Sequence, residues 1–132
     1  CLILCDGYYE WQAEGGRNQP YFFHREDDQP FAFAGLWERW TDPHSGSNKE
    51  TTTILTTAAN EAVRPFHHRM PVILGADDYD CWLDPEQSDR SLLEPLLVPQ
   101  SAENLLIDPV STLVNSPRND DPRCLEPPRR LF

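Results

Sequence analysis

Phe66-His67-His68-Arg69-Met70-Pro71, followed by Val72-Ile73-Leu74, sets two imidazoles and a guanidinium at the mouth of an apolar run. Histidine has the unperturbed pKa nearest working pH, so it can take and give a proton. Arginine stays charged and suits a phosphate or a carboxylate. Pro71 pushes the residue before it toward extended backbone, and Val72-Ile73-Leu74 reads as a strand that anchors the group. The plain alternative is a half-buried histidine and a surface arginine at a turn. A second candidate is Asp6-Gly7-Tyr8-Tyr9-Glu10-Trp11, which follows the apolar run Cys1-Leu2-Ile3-Leu4-Cys5. Side chains alternate on a strand, so Tyr8 and Glu10 share one face while Tyr9 and Trp11 share the other. A carboxyl flanked by aromatic rings is desolvated. That raises its pKa toward the range a general acid and base needs near neutral pH. The alternative there is an edge strand with one exposed glutamate.

The elements that must position these residues follow from the pattern. Residues 1–12 read as a strand, a kink at Asp6-Gly7 and a continuing strand. A turn follows at 13–20, with a short strand at 21–23, another turn at 26–30 and a longer strand at 31–40. The simplest hairpin pairs 21–23 with 31–35. Residues 41–49 read as a loop and the β-branched run 50–57 as a strand. A short helix is expected over 58–63, a strand over 70–74, helices over 76–83 and 91–98, and a late strand at 105–107. Asp77 and Asp78 suit a helix N-terminus, with Tyr79, Trp82 and Leu83 on one side of that helix.

At 132 residues there is room for one domain and a modest core, and 13 prolines favour a loop-rich α+β domain over a helical bundle. No apolar run approaches the length of a membrane span, and no secretory signal opens the sequence. The four cysteines lack a zinc-type pattern and read as reduced thiols, which points to an intracellular, cytoplasmic protein. No cofactor and no metal are expected, although a site built from Cys1, Cys5, His67 and His68 is a remote alternative. The formal net charge is −11, from 22 acidic and 11 basic residues, which argues against broad attraction to duplex DNA. Ten of the basic residues are arginine, so a local groove for nucleic acid remains open.

Four motifs carry a resemblance. Cys1-Leu2-Ile3-x-x-Asp6-Gly7-Tyr8-Tyr9-Glu10-Trp11, Phe31-Ala32-Phe33-Ala34-Gly35-Leu36-Trp37-Glu38, Thr56-Thr57-Ala58-Ala59-Asn60 and His67-x-Arg69-Met70-Pro71-Val72-Ile73-Leu74 stand in the order seen in SRAP-domain proteins. Val110-Ser111-Thr112 and Val114-Asn115-Ser116-Pro117-Arg118-Asn119-Asp120 resemble that family's closing segment, so the likeness runs from Cys1 to about Pro127. Leu4-Cys5 departs from the Pro-Ala/Val expected before Asp6. The resemblance implies a mainly antiparallel, strongly twisted sheet or partial barrel with a few short flanking helices. It implies a single domain over 1–132 with a surface-lying tail from 116.

The resemblance also implies abasic-site processing in a DNA damage or SOS response, with lyase and autopeptidase-type activity. An N-terminal cysteine offers its amine to the ring-opened sugar aldehyde of an abasic site in single-stranded DNA. A Schiff base forms, and the thiol closes it to a thiazolidine crosslink. Glu10 and His67 would make the proton transfers, with Thr56 supporting His67. Trp11 and Arg69 would contact DNA, the first at a base or sugar face and the second at a phosphate. The family's nucleophile lies upstream of the position that Cys1 matches, so a truncated and inactive chain is the expectation. Cys1 itself is about 30 Å from Glu10 along extended backbone unless the kink folds it back. The expected partner is abasic single-stranded DNA, with no membrane, no obligate protein partner and a monomeric state. The alternative function is a binding module for a protein or single-stranded DNA without chemistry; a metal-dependent hydrolase using Glu10, His67 and His68 is more distant.

Overall fold

Two apolar stretches far apart in sequence pair: β1 (Leu2–Cys5) runs antiparallel to β4 (Phe31–Thr41), with Leu2 opposite Ala34 and Cys5 opposite Phe31. The structure, a computed structural model, describes residues 1–128; the last four residues of the expected surface tail lie outside the described residues. The chain folds as two compact units. The first comprises Cys1–Cys5, Phe31–Ala58 and Arg69–Gln100, and the second Asp6–Pro30, Ala59–His68 and Ser101–Phe132.

In the first unit, β4 also pairs with β5 (Asn48–Ile54) and with β8 (Ile73–Leu74), so its first half is covered on both sides. Phe31 to Gly35 are accordingly buried, and Leu36 to Thr41 are exposed. β6 (Thr56–Ala58) and β7 (Arg69–Pro71) form a separate antiparallel pair. Ala34, Val72 and Leu74 make a tight core against which Leu2, Leu55, Tyr79, Trp82 and Leu96 pack. Tyr79 and Trp82 lie three apart on α1 (Tyr79–Leu83), which puts both rings on one helical face. The Trp82 indole N–H donates to the Cys1 carbonyl at 3.0 Å. α2 (Arg90–Leu93) opens on an Asp89 cap, its side chain accepting from the Ser91 N–H, and tightens into a 3-10 turn at Pro95, which has no N–H to continue the helix.

The second unit is built on an antiparallel sheet of β2 (Gly7–Glu14), β3 (Arg17–Arg25) and β9 (Leu105–Pro109), in the order β2-β3-β9. Glu14 and Arg17 pair directly, leaving Gly15-Gly16 as a two-residue turn with φ of +55° and +81°. Positive φ at both central residues matches the twist of a tight hairpin and costs glycine nothing. Phe23 is fully buried and stacks on Tyr8 at 4.9 Å, while Phe22 meets Tyr9 at 5.2 Å. Later in the chain come 3-10 turns at Thr112–Asn115 and Pro122–Leu125, the second burying Cys124.

The α+β class, the antiparallel sheets and the few short helices are as expected from the sequence, and the break at Asp6 separates β1 from β2. Among the described residues the strand orders are open paths. Two local expectations are overturned. Residues 21–23 do not pair with 31–35; they pair with Tyr8–Glu10 on one side and Ile107–Pro109 on the other. The Gly-Gly turn closes a longer hairpin than the short apolar runs suggested. Residues 58–63 form no helix: the Asn60 side chain accepts from the Ala62 and Val63 N–H groups at 3.1 and 2.9 Å, holding a turn instead.

Gly7 is required for space. A Cβ there would lie 2.2 Å from the Phe22 ring and 2.6 Å from the Phe23 carbonyl oxygen. Because the second contact is backbone, the strand must shift. Gly7→Ala is expected to destabilise by about 1–3 kcal/mol, read as a lower urea midpoint at unchanged slope.

Candidate active site

Glu10 stands in β2 directly opposite Tyr21 of β3. The Tyr21 ring receives Phe66 edge-on at 4.7 Å, and Phe66 also meets Phe23 at 5.2 Å and 89°. These contacts dock the segment that carries His67 onto the sheet that carries Glu10. Val63, fully buried, anchors the same segment, and its carbonyl accepts the His67 backbone N–H at 3.1 Å. The Gln12 side-chain amide reaches the Pro65 carbonyl at 3.4 Å, and the Ala59 N–H donates to the His68 carbonyl at 3.1 Å.

The half-buried Glu10 carboxyl is pushed above the ordinary glutamate value by desolvation, and the positive charge of His67 pulls it part of the way back. Glu10 and His67 are therefore within electrostatic reach of each other. A carboxyl made easier to protonate beside an imidazole is the arrangement proton transfer requires. Both His67 and His68 are exposed, and their rings lie 4.5 Å apart. Adjacent side chains on extended backbone would face opposite ways, but this stretch follows a turn and bends before β7 begins.

Trp11 follows Glu10 on β2 and lies beside Tyr9, at 6.3 Å between rings. It stays 40% exposed although its indole N–H is bonded, donating to the Asn115 side-chain oxygen at 2.6 Å. The Asn115 amide in turn donates to the Asn18 carbonyl at 3.0 Å. Burial, and then the charges of Cys124 and Asp6, push the Tyr9 hydroxyl above its usual value.

In the first unit, Arg69 and Thr56 are brought together where β6 and β7 pair. The guanidinium donates to the Thr56 hydroxyl from Nε at 3.2 Å and from Nη2 at 2.9 Å, and Nη2 also reaches the Thr56 carbonyl. Both residues are exposed. Among the described residues no group of three His, Cys, Asp or Glu side chains converges as a metal site would. Asn115 is the residue that reading motifs missed. Its contact with Trp11 spans 104 residues, and no local pattern announces it.

A raised Glu10 means that the native state holds a proton at pH values where the unfolded chain has released it. Its stabilising contribution is complete below about 4.5, the ordinary value, and is lost as pH rises through the folded value. Glu10→Gln, which cannot ionise, is therefore expected to gain in urea midpoint relative to the parent as pH rises across that window. His67→Ala removes the attraction and should raise the Glu10 titration further, as read from its side-chain carboxyl carbon by NMR.

The model of the SOS response associated peptidase (SRAP) family matches residues 1–117. The chain is 39% identical over 127 residues to the abasic site processing protein YoqW of Bacillus subtilis (strain 168), covering 96% of this chain and 56% of the relative. It is 39% identical over 150 residues to the abasic site processing protein HMCES of Gallus gallus, covering 96% and 43%. The chain thus spans about half the length of the relatives it matches. A crystal structure of a Bacteroides thetaiotaomicron protein superposes with a TM-score of 0.86 at 30% identity, over 96% of this chain and 56% of that one. With the family's model matched from Cys1 through the segment that holds Asn115, this chain belongs to the SRAP family.

Proposed function

We propose that this chain acts in abasic-site processing on single-stranded DNA, within a DNA damage response. Glu10 and His67 move the protons of a reaction that links protein covalently to the sugar aldehyde. The observation that carries the reading is the half-buried Glu10, raised by desolvation and held within reach of the His67 charge. The names of the relatives support the substrate class. In this reading a cysteine amine condenses with the aldehyde and loses water to give the imine. The thiol then adds across that imine to close a thiazolidine. Condensation needs a proton delivered to the departing oxygen and one removed from nitrogen, and Glu10 and His67 supply these transfers. Trp11 stacks on an unpaired base or sugar, and Arg69, with Thr56 bracing its guanidinium, meets a phosphate. Lyase and autopeptidase-type activities would use the same proton-transfer groups.

A second reading is a binding module without chemistry. It draws on the β4–β5 ribbon, whose Leu36, Trp37 and Trp40 are all more than half exposed. Exposed apolar groups of that size suit a protein surface.

By the resemblance, none of the four cysteines of this chain stands at the nucleophile position. This chain alone is therefore expected to give no denaturant-resistant adduct with an abasic oligonucleotide. A chimera that adds the part of YoqW outside its match should give one. In that chimera Glu10→Gln and His67→Ala should each slow single-turnover crosslinking by about a hundredfold or more with DNA binding nearly intact. Arg69→Ala should instead weaken binding and lower the salt slope by about one. Unchanged crosslinking rates at saturating DNA for both Glu10→Gln and His67→Ala would overturn the assignment of proton transfer to these two residues, and a chimera that gives no adduct at all would leave only the binding-module reading.

A further inference from the structure

The proposed function gives Trp11 a task but does not say what holds its ring in place. An indole has a single polar atom, a donor, and an exposed tryptophan ordinarily offers it to water. Here it is bonded to Asn115, which closes the 3-10 turn Thr112–Asn115. Only one orientation of the Asn115 amide satisfies both neighbours: oxygen toward the indole N–H and nitrogen toward the Asn18 carbonyl. The turn is itself fixed. The Ser111 hydroxyl accepts from the Leu113 N–H at 3.3 Å, the Asn119 amide donates to the Leu113 carbonyl at 2.7 Å, and the Ser111 N–H donates to the Glu126 carbonyl at 2.8 Å. Asn18 belongs to β3, so the relay ends on the same sheet that carries Trp11.

We infer that Asn115 is a positioning residue for Trp11, locking the indole so that a ring face is presented, already oriented, to an unpaired base. This rests on the assignment of Trp11 to DNA contact made above. Stacking gains when the ring does not lose rotamer freedom on binding, and a pinned ring has already lost it. The closing segment of the matched region thereby acquires a role in recognition. It restrains, across more than a hundred residues of sequence, a side chain adjacent to Glu10.

The test has two independent arms, on this chain and its variants Asn115→Leu, Asn115→Asp, Trp11→Phe and the double variant Trp11→Phe/Asn115→Leu. In the free protein, the indole N–H of Trp11 should exchange slowly by NMR in the parent. It should exchange faster in Asn115→Leu and stay closer to the parent in Asn115→Asp, which keeps an acceptor oxygen. With a fluorescein-labelled single-stranded oligonucleotide bearing one abasic site, Asn115→Leu should raise Kd about two- to tenfold with the salt slope unchanged. In the Trp11→Phe background, where there is no indole N–H, the same change should have no further effect. The inference is overturned if indole exchange is the same in Asn115→Leu as in the parent, or if Asn115→Leu weakens binding equally in the Trp11→Phe background. If exchange quickens as expected but Trp11→Phe binds the oligonucleotide like the parent, or if the parent itself does not bind, the assignment of Trp11 to DNA fails. The positioning role in recognition then falls with it, while the restraint on the ring stands.

Discussion

Phe66 inserts its ring edge between Tyr21 and Phe23, and the placement of His67 depends on that contact. The β2–β3 register sets Glu10 opposite Tyr21; Tyr21 offers a ring face; Phe66 meets it; and His67 is the next residue along the chain. Each aromatic contact of this kind contributes about 0.5–1.5 kcal/mol beyond the area it buries. Fully buried Phe23 and Val63 supply the larger apolar term, with about 1.5–3 kcal/mol for each such side chain. The nearness of Glu10 and His67 thus rests on a packed aromatic cluster and on hydrogen bonds from ordinary turns. The same packing removes water from Glu10 and makes its carboxyl easier to protonate. Position and reactivity have one cause.

Electrostatics elsewhere in the chain limits how DNA can be held. The formal charge is −11, and of the eight described arginines, Arg25, Arg39, Arg90 and Arg123 each pair with a carboxylate of this chain. Asp27 and Asp121 are held at about 2 by hydrogen bonds from Arg25 and Arg123, so those carboxylates stay ionised at any working pH. Such exposed pairs add little to stability, and few cations are left to neutralise a phosphate backbone. On the proposed function, affinity for a single strand would then come largely from stacking rather than from phosphate contacts. On that reading the orientation of one tryptophan would matter more here than on a basic protein.

Legibility in the sequence followed the range of the forces involved. Alternation along Tyr8 to Trp11, the break at Asp6-Gly7 and the pairing of Tyr79 with Trp82 on one helical face are local, and they were readable. The strand over 31–40 is legible in the sequence, but neither the burial of Phe31 to Gly35 nor the strands that cover them are. The hairpin partner of β3 was misassigned because Tyr21 to Phe23 looks like a short strand, while the polar residues Arg17 to Gln19 that extend it do not. The helix expected at 58–63 lost to the Asn60 side chain, which competes for the same backbone donors. Neither the Phe66 contacts with β3 nor the Asn115 contact with Trp11 leaves a local trace, since each joins residues more than forty apart.

Strand geometry adds one more constraint. Glu10 and Trp11 are neighbours in β2, so they point to opposite faces of the sheet. Ring contacts bear this out: Trp11 shares its side with Tyr9, while Tyr8 stacks on buried Phe23. If Glu10 does the chemistry and Trp11 contacts DNA, as proposed, the two do not act on the same atoms from one face. β2, however, is the end strand of its sheet among the described residues. On the proposed function, a single strand that meets both residues would cross that edge, presenting the abasic sugar to Glu10 on one side and a neighbouring nucleotide to Trp11 on the other. Duplex DNA is too stiff and too wide to bend so sharply around one strand of a sheet, whereas an unpaired backbone does so readily. On the proposed function, a preference for an unpaired strand would then follow from the alternation of side chains along β2.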